Sequence, residues 1–220
     1  MIIAIEGIDG SGKNTQATIL AKKLSEQGRK VVLMGFPCYS ETFFGKEVGH
    51  YLNGDFGGLN DISPKLTSML YAGDRFEKRE HILNYINDGY IVVIDRYVYS
   101  NVAHQSAKVF GEERIELQKW IEALEYDVYR LPKPDVNILL SLDVSSSSKL
   151  VMMKSTRDYT EKSKDLHEEN SSYLSEVSYV YHELARNNDQ WGVINCLKNN
   201  NLRSVDDISN DIIKVVNKLF

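Results

Sequence analysis

Apolar and polar positions along this chain keep two different rhythms. Short, nearly continuous apolar runs lie at Ile2–Glu6, 30–36, Ile91–Asp95, 136–144 and Trp191–Asn195. Runs of that length and β-branched content predict strands. VVLMGF, IVVID and VNILLSLDV read as strands covered on both faces, as in a parallel sheet. Between the runs, apolar positions return every three or four residues, which predicts helices. The first helix is expected over 13–27, with Ala17, Ile19, Leu20 and Leu24 on its buried side and Gly28 as its stop. Further helical patterns cover 45–52, 64–87, parts of 99–129, 147–154, 166–187 and 205–219.

Strands that alternate with helices build βαβ units with right-handed crossovers. The expected fold class is α/β, a five-stranded parallel sheet flanked by helices, in a single domain over 1–220. Such sheets bind their ligands beyond the carboxyl ends of the strands. Gly7, Phe36, Asp95 and Asp143 all fall at or just past those ends.

The turn after the first strand reads Gly7-Ile8-Asp9-Gly10-Ser11-Gly12-Lys13-Asn14-Thr15. Gly, four residues, Gly-Lys and then Ser or Thr is the spacing of a phosphate-binding loop. Glycines let successive backbone N–H groups curl around phosphate oxygens, and the helix behind adds the positive end of its dipole. Gly7, Gly10, Ser11, Gly12, Lys13, Asn14 and Thr15 therefore form a candidate ATP-binding set, with Lys13 reaching the β- and γ-phosphates. Asn14 stands where a hydroxyl normally ligates Mg²⁺, and Thr15 comes one residue late. An amide oxygen is also a hard donor, so Asn14 stays a candidate metal ligand. A glycine-rich turn without a ligand is the plainer alternative; strand, spacing, lysine and helix together favour the phosphate loop.

Composition sets no obstacle. A chain of 220 residues with 42% hydrophobic content can bury a sizeable core. A net charge of −5 argues against a nucleic-acid partner. No apolar run approaches the roughly 18 residues of a membrane span, and the first run stops at Glu6, so no secretory signal is expected. Cys38 and Cys196 lack metal spacing and read as reduced thiols of a cytoplasmic enzyme. His50, His81, His104, His167 and His182 show no metal spacing either, although His104 falls near the expected pocket.

Asp95 and Arg96 follow the third strand. A strand-end Asp holds Mg²⁺, often through water, in enzymes with such a loop, and the neighbouring Arg can grip a phosphate bidentately. A pair that only stabilises a turn is the alternative.

At this point the residues carry a resemblance along nearly the whole chain. EGIDGSGKNTQ (6–16), Phe36-Pro37, LYAGDRFE (70–77), DRYVYSNVAHQSAK (95–108), LPKPD (131–135) and LSLDV (140–144) resemble thymidylate kinases in order and spacing. These are P-loop nucleoside-monophosphate kinases. The resemblance implies a P-loop kinase fold with a short lid at about 154–166 and a homodimer formed by helix packing. It implies transfer of the ATP γ-phosphate to dTMP, giving dTDP and ADP with Mg²⁺.

Residue by residue, the resemblance places Asp9 beside the acceptor sugar, Arg96 on the dTMP phosphate and Asp95 on the metal or its water shell. Phe36 belongs to the acceptor pocket, Tyr71 stacks on thymine and Arg75 donates to its carbonyl edge. Ser100 and Gln105 line the base pocket, Gln105 within reach of the ring N3–H. The lid supplies the cationic finger, and Arg157 is the arginine of KSTRDYTEKSK (154–164), with Lys154, Lys162 and Lys164 as weaker candidates. The catalytic set is then Lys13, Asp9, Arg96 and Arg157. Adenine falls to backbone groups in 195–203. Three positions depart from the family pattern: Gly10 stands where some members carry an arginine, Cys38-Tyr39 follow Phe36-Pro37 where an arginine is common, and Leu166-His167 replace a lid-flank Arg and Tyr. Other acceptors, such as dUMP, another pyrimidine monophosphate or a deoxynucleoside, and a non-catalytic nucleotide-binding role, stay open alternatives. A single methyl on the base is worth only about 1–3 kcal/mol of discrimination.

Overall fold

The computed structural model describes residues 1–152, 170–186 and 188–220. Strands β1 (Ile2–Glu6), β2 (Val31–Gly35), β3 (Ile91–Asp95), β4 (Val136–Ser141) and β5 (Trp191–Asn195) form a parallel sheet in the order β2-β3-β1-β4-β5. Ile5 and Gly35 both stand level with Asp95 in the register. The residues that follow them, Glu6 to Gly7, Phe36 and Arg96, therefore emerge at one edge.

Helices α1 (Lys13–Glu26), α2 (Phe43–Asn53), α3 (Pro64–Glu77), α4 (Arg79–Asn87), α5 (Val98–Ser106), α6 (Gly111–Glu122), α7 (Val144–Met152), α8 (Ser171–Arg186) and α9 (Val205–Val216) flank the sheet. Side chains alternate across a strand even when all are apolar. Ile3 and Ile5 of β1 pack with Leu20 and Leu24 of α1 and Ile212 of α9, while Ile2 and Ala4 pack on the opposite face with Ile82, Val98 and Val102. Fully burying one such aliphatic side chain contributes about 1.5–3 kcal/mol.

Four details differ from the sequence reading. β2 is an edge strand with Leu33 exposed, and β5 is the other edge with Val193 exposed, so VVLMGF is not covered on both faces. The apolar run alone does not encode its lateral position. β4 stops at Ser141, because the Asp143 carboxylate accepts from Ser146 N–H (2.9 Å) and starts α7 at Val144. The helix expected over 64–87 breaks at Lys78, whose N–H returns to Arg75 O (3.1 Å), while Glu77 accepts from Phe43 and Phe44 N–H at the start of α2. Ile19 is half-buried instead of lying in the core. Within 99–129, α6 runs on into a π-helical turn (Ala123–Val128) that carries Glu125 to a fully buried position. The expected helices over 147–154 and 166–187 extend partly outside the described residues.

Candidate active site

The phosphate loop is shaped by its glycines. Gly7, Gly10 and Gly12 have φ of +143°, +78° and +86°, which L side chains rarely adopt. A Cβ added at Gly10 would stand 2.5 Å from Ser147 O and 2.9 Å from Val151 Cγ2. Helix α7 fills the space that an arginine would need there, which accounts for the first departure. The Ser147 hydroxyl also donates to Asp9 O and pins the loop from the same side. Lys13 is buried, and its ammonium donates to Gly7 O (2.9 Å) and Ile8 O (2.8 Å), drawn across the loop. Ser11 Oγ is buried with no hydrogen-bond partner among the described residues. Loop, lysine and helix start together make an anion cradle. Asn14 and Thr15 follow with exposed side chains at the start of α1.

The Asp95 to Tyr97 elbow supplies the second cationic element. Arg96 takes a left-handed backbone, φ +66°, and its N–H continues the ladder to Ile5 O (3.0 Å). Its guanidinium pairs with Asp9 from the phosphate loop and reaches His104 Nε2 at 3.4 Å. Burial opposes the charge of Arg96 and is the largest single influence on it, but Asp9, Tyr181 and Asp95 together outweigh it and hold the guanidinium above its ordinary value. His104 is pushed down to about 3, first by burial and then by the Arg96 charge, so it is neutral. Its tautomer follows from the hydrogen bonds. Tyr173 Oη donates to His104 O (2.9 Å), so His104 Nδ1–H donates to Tyr173 Oη (3.1 Å), and Nε2 is left to accept from Arg96.

Beneath the elbow lies Glu6, fully buried. Its carboxylate accepts from Tyr97 N–H (2.9 Å), Ser100 Oγ (2.6 Å) and Tyr181 Oη (3.2 Å). Burial raises its pKa above the usual carboxylate value, against these hydrogen bonds and the Arg96 charge.

A cavity opens beside Asp9 and Arg96. All seven residues expected on the acceptor, Asp9, Phe36, Tyr71, Arg75, Arg96, Ser100 and Gln105, lie on its wall. Tyr71 is half-buried and edge-on to Tyr51 (6.4 Å). Arg75 is not a solvated helix arginine: it is 1% exposed, and its Nε and Nη2 each donate to the Glu125 carboxylate at 2.5 Å. Burial works against the Arg75 charge, and Glu125, followed by Asp74, leads the groups that offset it and hold it raised.

Sequence reasoning missed several wall residues. Leu52 and Asn101 line the cavity and were not singled out, Tyr39 was noted only as a departure from the family pattern, and His104 was left undecided. Asn101 Nδ2 donates to Ser68 O (3.0 Å) and Glu125 Oε1 (2.8 Å), and its Oδ1 is buried without a partner among the described residues. Gln105 Oε1 accepts from the Lys108 ammonium (2.7 Å), which also donates to Tyr51 Oη (2.9 Å), and Gln105 Nε2 has no partner among the described residues. Loss of water pulls Lys108 down to about 7. The one available signal was the spacing of Asn101 and Gln105, four apart and so on one face of a helix.

Asp95 Oδ1 is a buried carboxylate oxygen without a partner among the described residues, a vacancy of bonding that suits a hard cation. Among the described residues no group of three or more His, Cys, Asp or Glu gathers around a metal position, and none of their helices is long and apolar enough to cross a membrane. At Cys38 the thiol is pushed up to about 12 by burial and the nearby Asp74, so it offers no anion clamp. Arg157, Leu166, His167 and the lid at about 154–166 lie outside the described residues. The segment after β5 forms a hairpin of β6 (Leu197–Lys198) and β7 (Asn201–Leu202), with Arg203 paired to Asp211 (2.5 Å).

Comparison with known proteins agrees with this geometry. The family model for thymidylate kinase matches residues 5–208. A probable thymidylate kinase of Thermococcus onnurineus is 34% identical over 221 aligned residues, which cover 98% of this chain and 97% of the relative. The thymidylate kinase of Mycobacterium tuberculosis is 31% identical over 193, covering 87% and 88%. Among solved structures, a thymidylate kinase from Candida albicans, described for the origin of its broad substrate specificity, superposes with a TM-score of 0.72 at 27% identity. That match covers 99% of this chain and 91% of the other.

Proposed function

We propose a division of labour among the site residues from one premise: the chain belongs to the thymidylate kinase family, and it transfers the ATP γ-phosphate to dTMP. The observation that carries the assignment of roles is the cavity itself, whose wall holds all seven acceptor candidates and opens beside the phosphate loop.

Phosphoryl transfer asks the protein mainly for alignment and positive charge. The loop N–H groups and Lys13 hold the ATP phosphates; when these enter, the ammonium exchanges Gly7 O and Ile8 O for phosphate oxygens. Arg96, braced by Asp9 and His104, binds the dTMP phosphate and holds its attacking oxygen toward the γ-phosphate. Asp9 then turns one oxygen to the 3′-hydroxyl of the sugar. Tyr71 stacks on thymine, and the Nη1 side of Arg75 donates to a ring carbonyl while Glu125 keeps its other edge. Asn101 Oδ1 accepts the ring N3–H, a role first expected of Gln105. Asp95 and the Asn14 amide would hold Mg²⁺, which when bound neutralises charge on the β- and γ-phosphates. Adenine lies along the hairpin after β5. Arg157 is the cationic finger of the lid, so Arg157→Ala should lower kcat far more than dTMP affinity; lost affinity at unchanged kcat would make it a binding residue instead.

The protein works as a cytoplasmic homodimer. Phe43 on α2 and Leu66, Met69 and Phe76 on α3 are exposed apolar side chains of the kind that helix packing covers, and sedimentation should give twice the chain mass. Steady-state ADP release with ATP and Mg²⁺ tests the function against dTMP, dUMP, UMP, dCMP, AMP, GMP and thymidine. A kcat/KM for dTMP well above the rest is expected. Preference for another acceptor would move the specificity, and no turnover with any of them would sink the kinase roles.

A further inference from the structure

Two amides on α5 face the acceptor cavity, and the chemistry of their partners decides which end of each is presented. Asn101 gives its N–H groups to Ser68 O and to the Glu125 carboxylate, both of which only accept. Its oxygen is therefore the free end. Gln105 stands the other way round. Its oxygen takes the Lys108 ammonium, which only donates. Its NH₂ is the end left free among the described residues, and Gln105 itself is 0% exposed. Lys108 is in turn steadied by the Tyr51 hydroxyl, and Tyr51 is wholly buried on α2. One turn of helix thus offers an acceptor and a donor in fixed positions.

That pair suits a ring with N–H beside C=O, as in thymine or uracil. Cytosine presents the reverse, a lone pair at N3 beside an amino group. With Gln105 on the 4-side of the ring, where the two bases differ, it would set lone pair against Asn101 Oδ1 and N–H against N–H at Gln105. A site built around buried hydrogen bonds rejects such a mismatch strongly, because its own polar groups are left unpaired. An amide free to rotate by half a turn would escape its share of that mismatch.

We propose that Lys108 is a specificity-determining positioning residue: by holding Gln105 Oε1, it keeps the Gln105 NH₂ toward the base and sets the pocket against amino-pyrimidines. This rests on the reading of the cavity as the acceptor-base site. Lys108 touches no substrate atom; it acts through Gln105.

The test is the ratio of kcat/KM for dTMP to that for dCMP, measured at about pH 6, where Lys108 carries its proton. Lys108→Met and Lys108→Gln should each lower the ratio about tenfold or more, the worth of roughly one hydrogen bond made or mismatched. Part of that fall should be a gain on dCMP, since a released Gln105 can accept from its amino group. Lys108→Arg keeps a donor-only cation and should stay within about threefold of the wild-type ratio. The two neutral variants guard against one of them failing to fold. Equal losses on both nucleotides, with the ratio unchanged, would reduce Lys108 to scaffold and overturn the proposal. So would an arginine variant as unselective as the methionine one. A wild-type enzyme with no preference for dTMP over dCMP would instead overturn the base-site reading itself.

Discussion

The phosphate loop and the acceptor pocket share one edge of one sheet but are made of different material. The loop is backbone: three left-handed glycines, a helix start and one lysine, all within Gly7 to Lys13. The pocket is side chain, and its polar members are aimed by partners far along the chain, Arg75 by Glu125 fifty residues away and Ser100 by Glu6 ninety-four away. A backbone cradle fits any polyphosphate, since every residue carries the same N–H. A pocket of aimed side chains can tell one base from another, and its geometry fails if a distant partner is lost. Generic binding and selective binding therefore have different weak points.

The loop breaks at its one essential side chain. Lys13→Met keeps the length of the stem and removes the charge that meets the phosphates. Turnover should fall by at least about 10²–10³-fold, the scale of losing one preorganised electrostatic donor. Folding should hold, because three left-handed glycines shape the loop and the retained stem still fills the space across it, where the ammonium donates to Gly7 O and Ile8 O. Near wild-type rates in an ADP-release assay would remove Lys13 from the chemistry.

The pocket breaks at a residue that no ligand touches. Glu125→Ala strands the Arg75 cation in a fully buried place and frees the Asn101 amide. Breaking a buried ion pair in this way costs about 3–5 kcal/mol, readable as a lower urea midpoint, and KM for dTMP should rise with it. Replacing both charges sharpens the comparison. Arg75→Met with Glu125→Leu should recover most of the stability, as apolar replacements of buried pairs often do, yet leave dTMP binding poor. If the double variant recovered dTMP binding as well, the pair would be a matter of packing and not of recognition.

This contrast explains what was legible in the sequence. Strand ends and the phosphate loop leave local signals, a β-branched run and glycines at fixed offsets, and the structure bears out β1, β3 and β5 to the residue. The acceptor roles came through family resemblance, and all seven candidates reach the cavity. Their supports left no local trace. Glu125 looks like one more surface charge of an amphipathic helix, and only a π-helical turn carries it inward. Glu6 reads as the polar end of a strand, and Lys108 as a solvated lysine after α5. Which strands lie at the sheet edges is also non-local, since it depends on the order of assembly and not on the run itself.

Glu6 offers the smallest effect and the finest probe of the pocket's supports. Burial raises its pKa above the ordinary 4.5. Between that value and the raised one, the native state holds a proton that the unfolded chain has already lost. Stability from this group is therefore greatest in acid and declines as pH rises through the window. Glu6→Gln cannot titrate, accepts from Tyr97 N–H with its remaining oxygen, and can donate to Ser100 Oγ. At neutral pH the variant should melt no lower than the wild type, and acidification should move the comparison in favour of the wild type. Activity should point the other way. Arg96 loses a nearby negative charge and Ser100 an acceptor, so dTMP should bind less well while ATP binding at the loop stays unchanged. Paired thermal melts across pH decide the matter: a wild-type advantage that grows toward neutral pH would mean that the Arg96 charge and the three hydrogen bonds outweigh the burial of the carboxylate. Glu6 would then be a structural anchor of the sheet edge, and the division between a backbone-built loop and a side-chain-built pocket would not extend below the elbow at Arg96.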